Sequence, residues 1–342
     1  MRPAHTEGVE TSSRIGGFAR RLHGIGPLLG LVALCIGGTL LNGDFATLDN
    51  AMNVLTRTSF IGIIAVGMTF VIISGGIDLS VGSMAALIAG SMIWMMNGLK
   101  DGLGGHTFAP LTIVMLGIVL ALVLGGLFGF AHGLLVTKGR IEPFIVTLGT
   151  MGIFRSLVIW LAAGGTITMR NFDLREMYRP VYFGSIFGVP IPIIAFLVVA
   201  AIGALILYRT SFGRHVVALG SNEDVARYSG VPIWRVRTLT YIIQGICVGI
   251  AVLVYVPRLG SATPTTGLLW ELQAITAVVI GGTALKGGIG RIWGTVVGAV
   301  ILELVANIMV LSNFVSEFLV GAVQGAIIII AMLVQRSVHR GR

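Results

Sequence analysis

Residues 74–83, "SGGIDLSVGS", place one carboxylate, Asp78, between the apolar runs "FIGIIAVGMTFVII" and "MAALIAGSMIWMM". An acid in such a setting can cap a helix or line a polar pathway, and an ionisable group inside a membrane span is a functional candidate by default. Other polar side chains within apolar runs are Thr147, Thr150, Gln244, Gln273, Thr276, Glu303 and Asn307, with Glu271 near one end. These groups form hydrogen bonds, either to a neighbouring helix or to a polar solute. His132, beside Gly133, is read as structural rather than as a proton relay. Nothing points to covalent chemistry. No His/Cys/Asp/Glu set has metal-ligand spacing, no nucleophile stands with a base, and Lys100, Lys138 and Lys286 lack the G-x-x-x-x-G-K-[ST] context of a phosphate loop. The sequence therefore assigns no catalytic residue, no metal and no bound cofactor.

The elements that must position these groups are helices in a membrane. Of 342 residues 55% are apolar and 11% charged, against about 25% charged in a soluble domain. Mean hydropathy is +0.95. The fold class is an all-α polytopic membrane protein. At roughly 20 apolar residues per span, ten spans are expected: 25–41, 58–75, 79–97, 110–136, 143–163, 189–208, 237–256, 270–285, 291–311 and 315–334. Residues 1–24 read as a cytosolic tail, 25–335 as the membrane domain and 336–342 as a second cytosolic tail. Sixteen Lys and Arg fall in the proposed inner segments and six in the outer ones, as the positive-inside tendency requires. The net charge of +9 is thereby a membrane signature and not a nucleic-acid footprint. Cys35 and Cys247 lie in apolar runs and read as buried free thiols.

Two readings of the 74–83 stretch stand at this point. Gly75 and Gly76 end one helix, while Asp78 or Ser80 caps the next, with Ser74 at the stop. This is either a hairpin at the cytosolic surface with a wet cap or a break within the membrane lining the pathway. "GGTALKGGIG", 281–290, repeats the pattern and hints at internal duplication. Glycines in steps of four (Gly125, Gly129, Gly133; Gly290, Gly294, Gly298) and the series Gly82, Ala86, Gly90 form grooves that another helix of the chain can approach.

The polar segment 209–236 holds "SNEDVARYSGVPIWRVRT" (221–238). Ser221 with Asp224 has the form of a capping box, Gly230 of a helix C′ residue, and Pro232 follows. The eight residues between, 222–229, make a helix of about 12 Å, which must lie on its own membrane domain or in a groove of a cytosolic partner.

"GRHVVALGSNEDVARYSGVPIWRVR", together with "AVGMTFVIISGGIDLSVGS", "KGRIEPFIVTLGTM" and 257–302, resembles the permease subunits of ribose-type ATP-binding-cassette (ABC) sugar importers. The likeness runs from about residue 45 to 335. It implies a bacterial cell-membrane permease that works by alternating access, with a cytosolic ABC ATPase binding ATP-Mg, an external (periplasmic) sugar-binding protein, and a core of two permeases, either two copies or one copy with a relative. The resemblance makes 221–232 the coupling helix. Asn222, Glu223, Asp224 and Arg227 are then its polar contacts, Tyr228 its anchor in the ATPase groove, and Arg214 a partner for acidic groups or lipid phosphates. Asp78, Gln273 and Asn307 become pathway candidates, and Trp94 or Trp270 an aromatic wall for a sugar. The outer loop 164–190 carries Arg170, Arg175 and Arg179 against the positive-inside tendency, which suggests docking of the binding protein or contact with lipid headgroups. The relatives serve pentoses, hexoses and, in a distant branch, branched-chain amino acids. An ion-coupled secondary carrier is the alternative class.

Overall fold

Thr47 starts the most buried of the long apolar helices among the described residues. Its hydroxyl accepts the Asn50 N–H at 3.3 Å, and α2 runs from Leu48 to Ile73. The computed structural model of the protein describes residues 26–102, 108–312 and scattered positions between 319 and 329. A helix α1 (Gly26–Leu41) precedes α2. After it come α3 (Val81–Gly102), α4 (Pro110–Thr137), α5 (Pro143–Leu161), α6 (Phe172–Tyr178), α7 (Pro180–Phe183), α8 (Ile191–Arg209), α9 (Ser211–Ser221), α10 (Glu223–Tyr228), α11 (Ile233–Leu259), α12 (Trp270–Ile280) and α13 (Ile292–Ser312). A 3-10 turn (Gly43–Ala46) joins α1 to α2, and four two-residue strands are also present. β1 (Ile167–Thr168) pairs antiparallel with β4 (Ser261–Ala262), and β2 (Ser185–Ile186) with β3 (Val189–Pro190).

The all-α polytopic class holds. Among the described residues seven helices are long and apolar enough to cross a membrane: α2, α3, α4, α5, α8, α11 and α13. α1 and the 11-residue α12 are shorter. At 1.5 Å per residue α12 covers about 16 Å, half the hydrocarbon core. The expected span 270–285 fails because Gly281 and Gly282 turn the chain five residues early. Likewise α2 begins ten residues before the expected 58, since Thr47 caps a polar first turn that a hydropathy count ignores. The tenth expected span, 315–334, lies mostly outside the described residues, as do both tails.

Two of the less apolar spans, α2 and α3, are the innermost. α2 and α3, with their Gly, Ser and Thr, are buried almost all round, whereas the more apolar α4 and α8 turn Val119, Val123, Leu127, Leu197 and Leu205 outward. That inverts the soluble-protein order: lipid solvates leucine, and small residues allow backbones to approach. The glycine grooves are filled from within the chain. A methyl on Gly125 or Gly129 would overlap the Gly245 or Tyr241 carbonyl of α11, and one on Gly294 or Gly298 would overlap the Gly281 or Ala277 carbonyl of α12.

α2 and α12 also stop in the same way. Gly75 (φ +83°) donates to Ile72 O and Gly76 to Val71 O; Gly282 (φ +87°) donates to Val279 O and Thr283 to Val278 O. Each is a Schellman motif.

Candidate functional site

The break between α2 and α3 lies inside the bundle. Asp78 is 1% exposed, so it is not a wet cap. Its Oδ1 accepts the Ser80 N–H at 2.9 Å and the Ser80 hydroxyl at 2.7 Å, while the Ser80 carbonyl receives Met84 N–H, the first bond of α3. The other oxygen, Oδ2, faces His132 Nδ1 of α4 at 3.8 Å, with both side chains buried. The second ring nitrogen of His132 lies 2.8 Å from Thr150 Oγ1 of α5. Tyr241 of α11 closes the nest, its hydroxyl over Gly76. The Ser74 hydroxyl donates to Val71 O, inside the turn.

A second break meets the first. The chain leaves β4 beside β1, whose Ile167 side chain touches Gly90 of α3, and reaches Gly82 at Gly267. Gly90 and Gly82 are eight residues apart, about 12 Å along a helix, so residues 263–267 run down α3 as non-helical chain. Irregular backbone at membrane depth needs protein or water to satisfy it. Arg155 of α5 does so: its guanidinium donates to the carbonyls of Pro264 and Thr266, the latter at 2.9 Å. Gly267 and Gly82 touch backbone to backbone, and α12 starts three residues later with Glu271 in its first turn. Gln273 lies half-buried on α12. Trp270 packs between Phe60 and Tyr255, with centroids at 5.3 and 4.9 Å, whereas Trp94 is 61% exposed. Asn307 stands elsewhere. It exchanges hydrogen bonds with Asn50 of α2 at 2.8 and 3.1 Å, beside a cavity of about 240 Å³ that Arg57 and Glu303 also line.

The polar segment 209–236 contains two short helices rather than one. Thr210 caps α9 and Asn222 caps α10, its Oδ1 accepting Val225 N–H at 3.0 Å. The expected cap, Ser221, instead ends α9 and donates to Val217 O. The amide reaches the first turn because Asn222 is the extended residue between the helices. Gly230 (φ +80°) ends α10 through bonds from its own N–H to Arg227 O and from Val231 to Ala226 O, and Pro232 precedes α11. Glu223 accepts from Arg227 at 2.8 Å and from Arg237 of α11 at 2.7 Å. Partial burial works to raise its pKa, but Arg237 and Arg227 outweigh it and hold the carboxyl below its ordinary range. Arg214, Asp224, Arg227 and Tyr228 are exposed, Tyr228 at 91%.

This segment touches the break directly. A methyl on Gly220 of α9 would overlap the Ile73 carbonyl, the last of α2, and lie 2.6 Å from Gly288 N. The Gly288 N–H donates to that same carbonyl at 2.9 Å. So α9, the stop of α2 and the 281–291 connection meet at one point. Beside it a cavity of about 890 Å³ runs from Glu223, Arg227 and Arg237 past Arg140 and Glu142 to Gly75.

Across the bundle, the 164–190 loop is an ordered cap. Leu174 and Tyr178 are buried, and the Tyr178 hydroxyl donates to Leu253 O at 2.8 Å. Arg170, Arg175 and Arg179 remain exposed: Arg170 lies 3.5 Å from Asp101, Arg179 3.5 Å from Glu176, and Arg175 against Gly260.

Sequence reasoning singled out Asp78 and the 221–232 segment but missed what they touch. Arg155 was visible as a charge inside a span; Gly220 gave no signal at all.

Comparison with known proteins agrees with this architecture. Residues 50–332 match the family described as "branched-chain amino acid transport system / permease component". The ribose import permease protein RbsC of Bacillus subtilis is 38% identical over 97% of this chain and 98% of its own length. The D-allose transport system permease protein AlsC of Escherichia coli is 33% identical over 90% of both. The xylose transport system permease protein XylH of Haemophilus influenzae is 31% identical over 86% of this chain and 91% of its own. With most of its length matched, this chain belongs to that family of transport-system permease components.

Proposed function

We propose that this chain is the membrane-spanning permease subunit of a ribose-like sugar importer, driven by ATP hydrolysis in a separate ABC ATPase. The observation that carries the reading is the junction of Gly220, Ile73 and Gly288, where a surface segment bears on the end of the α2 break. Relatives at 31–38% identity over nearly the whole chain are ribose, allose and xylose permeases, which supports a monosaccharide as the solute. They are permease subunits, so the chain is not itself an enzyme.

In this reading α9 and α10 face the cytosol and engage the ATPase through Arg214, Asn222, Asp224, Arg227 and the exposed Tyr228. Glu223 sets α10 against α11 through Arg237. A push on α9 reaches the stop of α2 without passing through a flexible side chain, and there Ser74, Gly75, Gly76, Asp78 and Ser80 change shape. The exposed face of 265–272, with Thr265, Leu268, Leu269 and Leu272, meets a second permease, and the pathway runs between the two. Gln273 on α12 lies beside that route, while Asn307 secures α13 to α2. The cap with Arg170, Arg175 and Arg179 receives the periplasmic binding protein. The membrane is the inner membrane of a bacterium, and ATP-Mg sits in the partner.

The test is uptake of radiolabelled ribose, xylose and allose into proteoliposomes. One set holds the chain alone under an ion gradient. The other holds chain, ATPase and binding protein with ATP. Uptake in the second set alone is expected; gradient-driven uptake by the chain alone overturns the reading.

A further inference from the structure

The Asp78–His132 pair has a function of its own to explain. Asp78 Oδ1 is satisfied by Ser80, but Oδ2 has no hydrogen-bond partner, and neither has His132 Nδ1 facing it at 3.8 Å. Among the described residues no Lys or Arg forms an ion pair with Asp78. A carboxylate buried to this degree is expensive to leave charged and unpaired.

The ring of His132 is oriented by Thr150. A helical threonine commits its single proton to the carbonyl four residues back, and Thr150 Oγ1 lies 2.9 Å from Val146 O. The Thr150 oxygen then accepts, and His132 donates through Nε2 across 2.8 Å. With one proton on Nε2, a neutral imidazole turns a bare lone pair at Nδ1 toward the anionic Oδ2. Two acceptors face each other in a buried site walled by Phe154 and Tyr241, with ring centroids 5.8 and 6.2 Å from the imidazole. One additional proton removes the conflict. On Nδ1 it makes an imidazolium–carboxylate pair; on Oδ2 it makes a carboxylic acid donating to imidazole. Either way the pair becomes neutral.

We propose that the α2–α3 break contains a proton-binding site, in which Asp78 and His132 hold one shared proton at neutral pH. The proton enters from the end of the bundle bearing α9 and α10, through the cavity that reaches Gly75, three residues from Asp78. Loading ties the break to α4; unloading frees it. The groups that face the pair electrostatically are Tyr241 and, beyond it, Arg237 from α11, and Glu271 from α12 with Arg155 of α5 beside Glu271. The inference rests on the geometry of the pair and not on the identity of the transported solute.

The test uses the full chain in nanodiscs without solute or partners. Histidine ¹⁵N spectra, with the His132 signal identified by its loss in His132→Gln, report imidazolium. Infrared difference spectra of the wild type against Asp78→Asn report a protonated carboxyl. An ordinary histidine of pKa ≈ 6.5 is about 3% protonated at pH 8. The expected result at pH 8 is a proton on one partner at an occupancy about tenfold higher or more. A neutral His132 together with an ionised Asp78 at pH 7 overturns the proposal. Melting temperature gives a second reading should either signal prove hard to assign. The buried pair binds a proton that the unfolded chain has released, so wild-type stability falls as pH rises from 7 to 9. That slope disappears in His132→Gln. A slope identical in wild type and variant also overturns it, since loss of a merely structural histidine lowers stability equally at every pH.

Discussion

Gly220→Ala is the sharpest perturbation of the coupling route. The added methyl would overlap the Ile73 carbonyl and lie 2.6 Å from Gly288 N, both backbone atoms that no rotamer change can move. Overpacking of this kind costs about 1–3 kcal/mol. The Gly288 N–H to Ile73 O bond is pushed apart as well, and leaving its buried ends unmet costs about 1–3 kcal/mol more. Alanine's better helix propensity returns at most about 1 kcal/mol, and less here because Gly220 is the penultimate residue of α9. The net loss is therefore about 1–6 kcal/mol, or roughly 1.5–8 °C in melting temperature at about 2.1 cal/mol/K of unfolding entropy per residue. Gly98→Ala is the control, since a methyl there meets nothing within 4 Å. Thermal unfolding in nanodiscs measures the first effect, and the ratio of sugar imported to ATP hydrolysed in the assembled complex measures the second. Gly220→Ala is expected to lower that ratio at least tenfold. A melting temperature within a degree of wild type together with an unchanged ratio would refute both the crowding and the route.

Three further outcomes follow from the same contacts. Arg155→Ala removes the donor to the Pro264 and Thr266 carbonyls, at about 1.5–3 kcal/mol per charge-assisted bond; it should lower melting temperature and uptake together, and unchanged uptake would count against a fixed 263–267 segment. Reversing charge at Arg170, Arg175 and Arg179 should weaken docking of the binding protein, read as the dissociation constant for the immobilised permease; an unchanged constant would sink the assignment of that cap. Glu223 titrates below its ordinary value in the fold, so its contribution is present above the unfolded carboxyl's pKa and lost as pH falls through the lower folded one. The difference in melting temperature between wild type and Glu223→Gln should be open at pH 7 and close below about pH 4; a constant gap would mean that charge is irrelevant there.

The sequence carried the helices well where a long apolar run coincides with a single element, as in α4 and α11. It misled at α12, because residues 270–285 are apolar enough to span while Gly281 and Gly282 turn the chain within them. The cap of α10 was misplaced by one residue because Ser221 and Asn222 are both competent N-caps, and only the end of α9 decides between them. Asp78 was legible as an anomaly, since charge is rare between such neighbours. Its partner was not: His132 is 54 positions away on a helix whose register against the break depends on how Gly129 and Gly133 meet α11. Arg155 shows the same limit. A buried arginine announces a carbonyl or a carboxylate somewhere, and the non-helical 263–267 segment that supplies the carbonyls leaves no periodicity of its own.

The glycine contacts have a kinematic consequence. α4 and α11 touch main chain to main chain at successive turns, and so do α12 and α13. Neither pair can roll about its axis, because rotation would bring a residue with a side chain into a slot that fits none. Each pair therefore moves as one body, and the degrees of freedom of the protein reside in the segments between bodies. Those segments carry left-handed residues: Gly75, Arg140, Gly260, Gly267 and Leu269. The molecule is a linkage of welded bars and few joints, and a small displacement at α9 becomes rotation at the joints rather than strain spread through the bars.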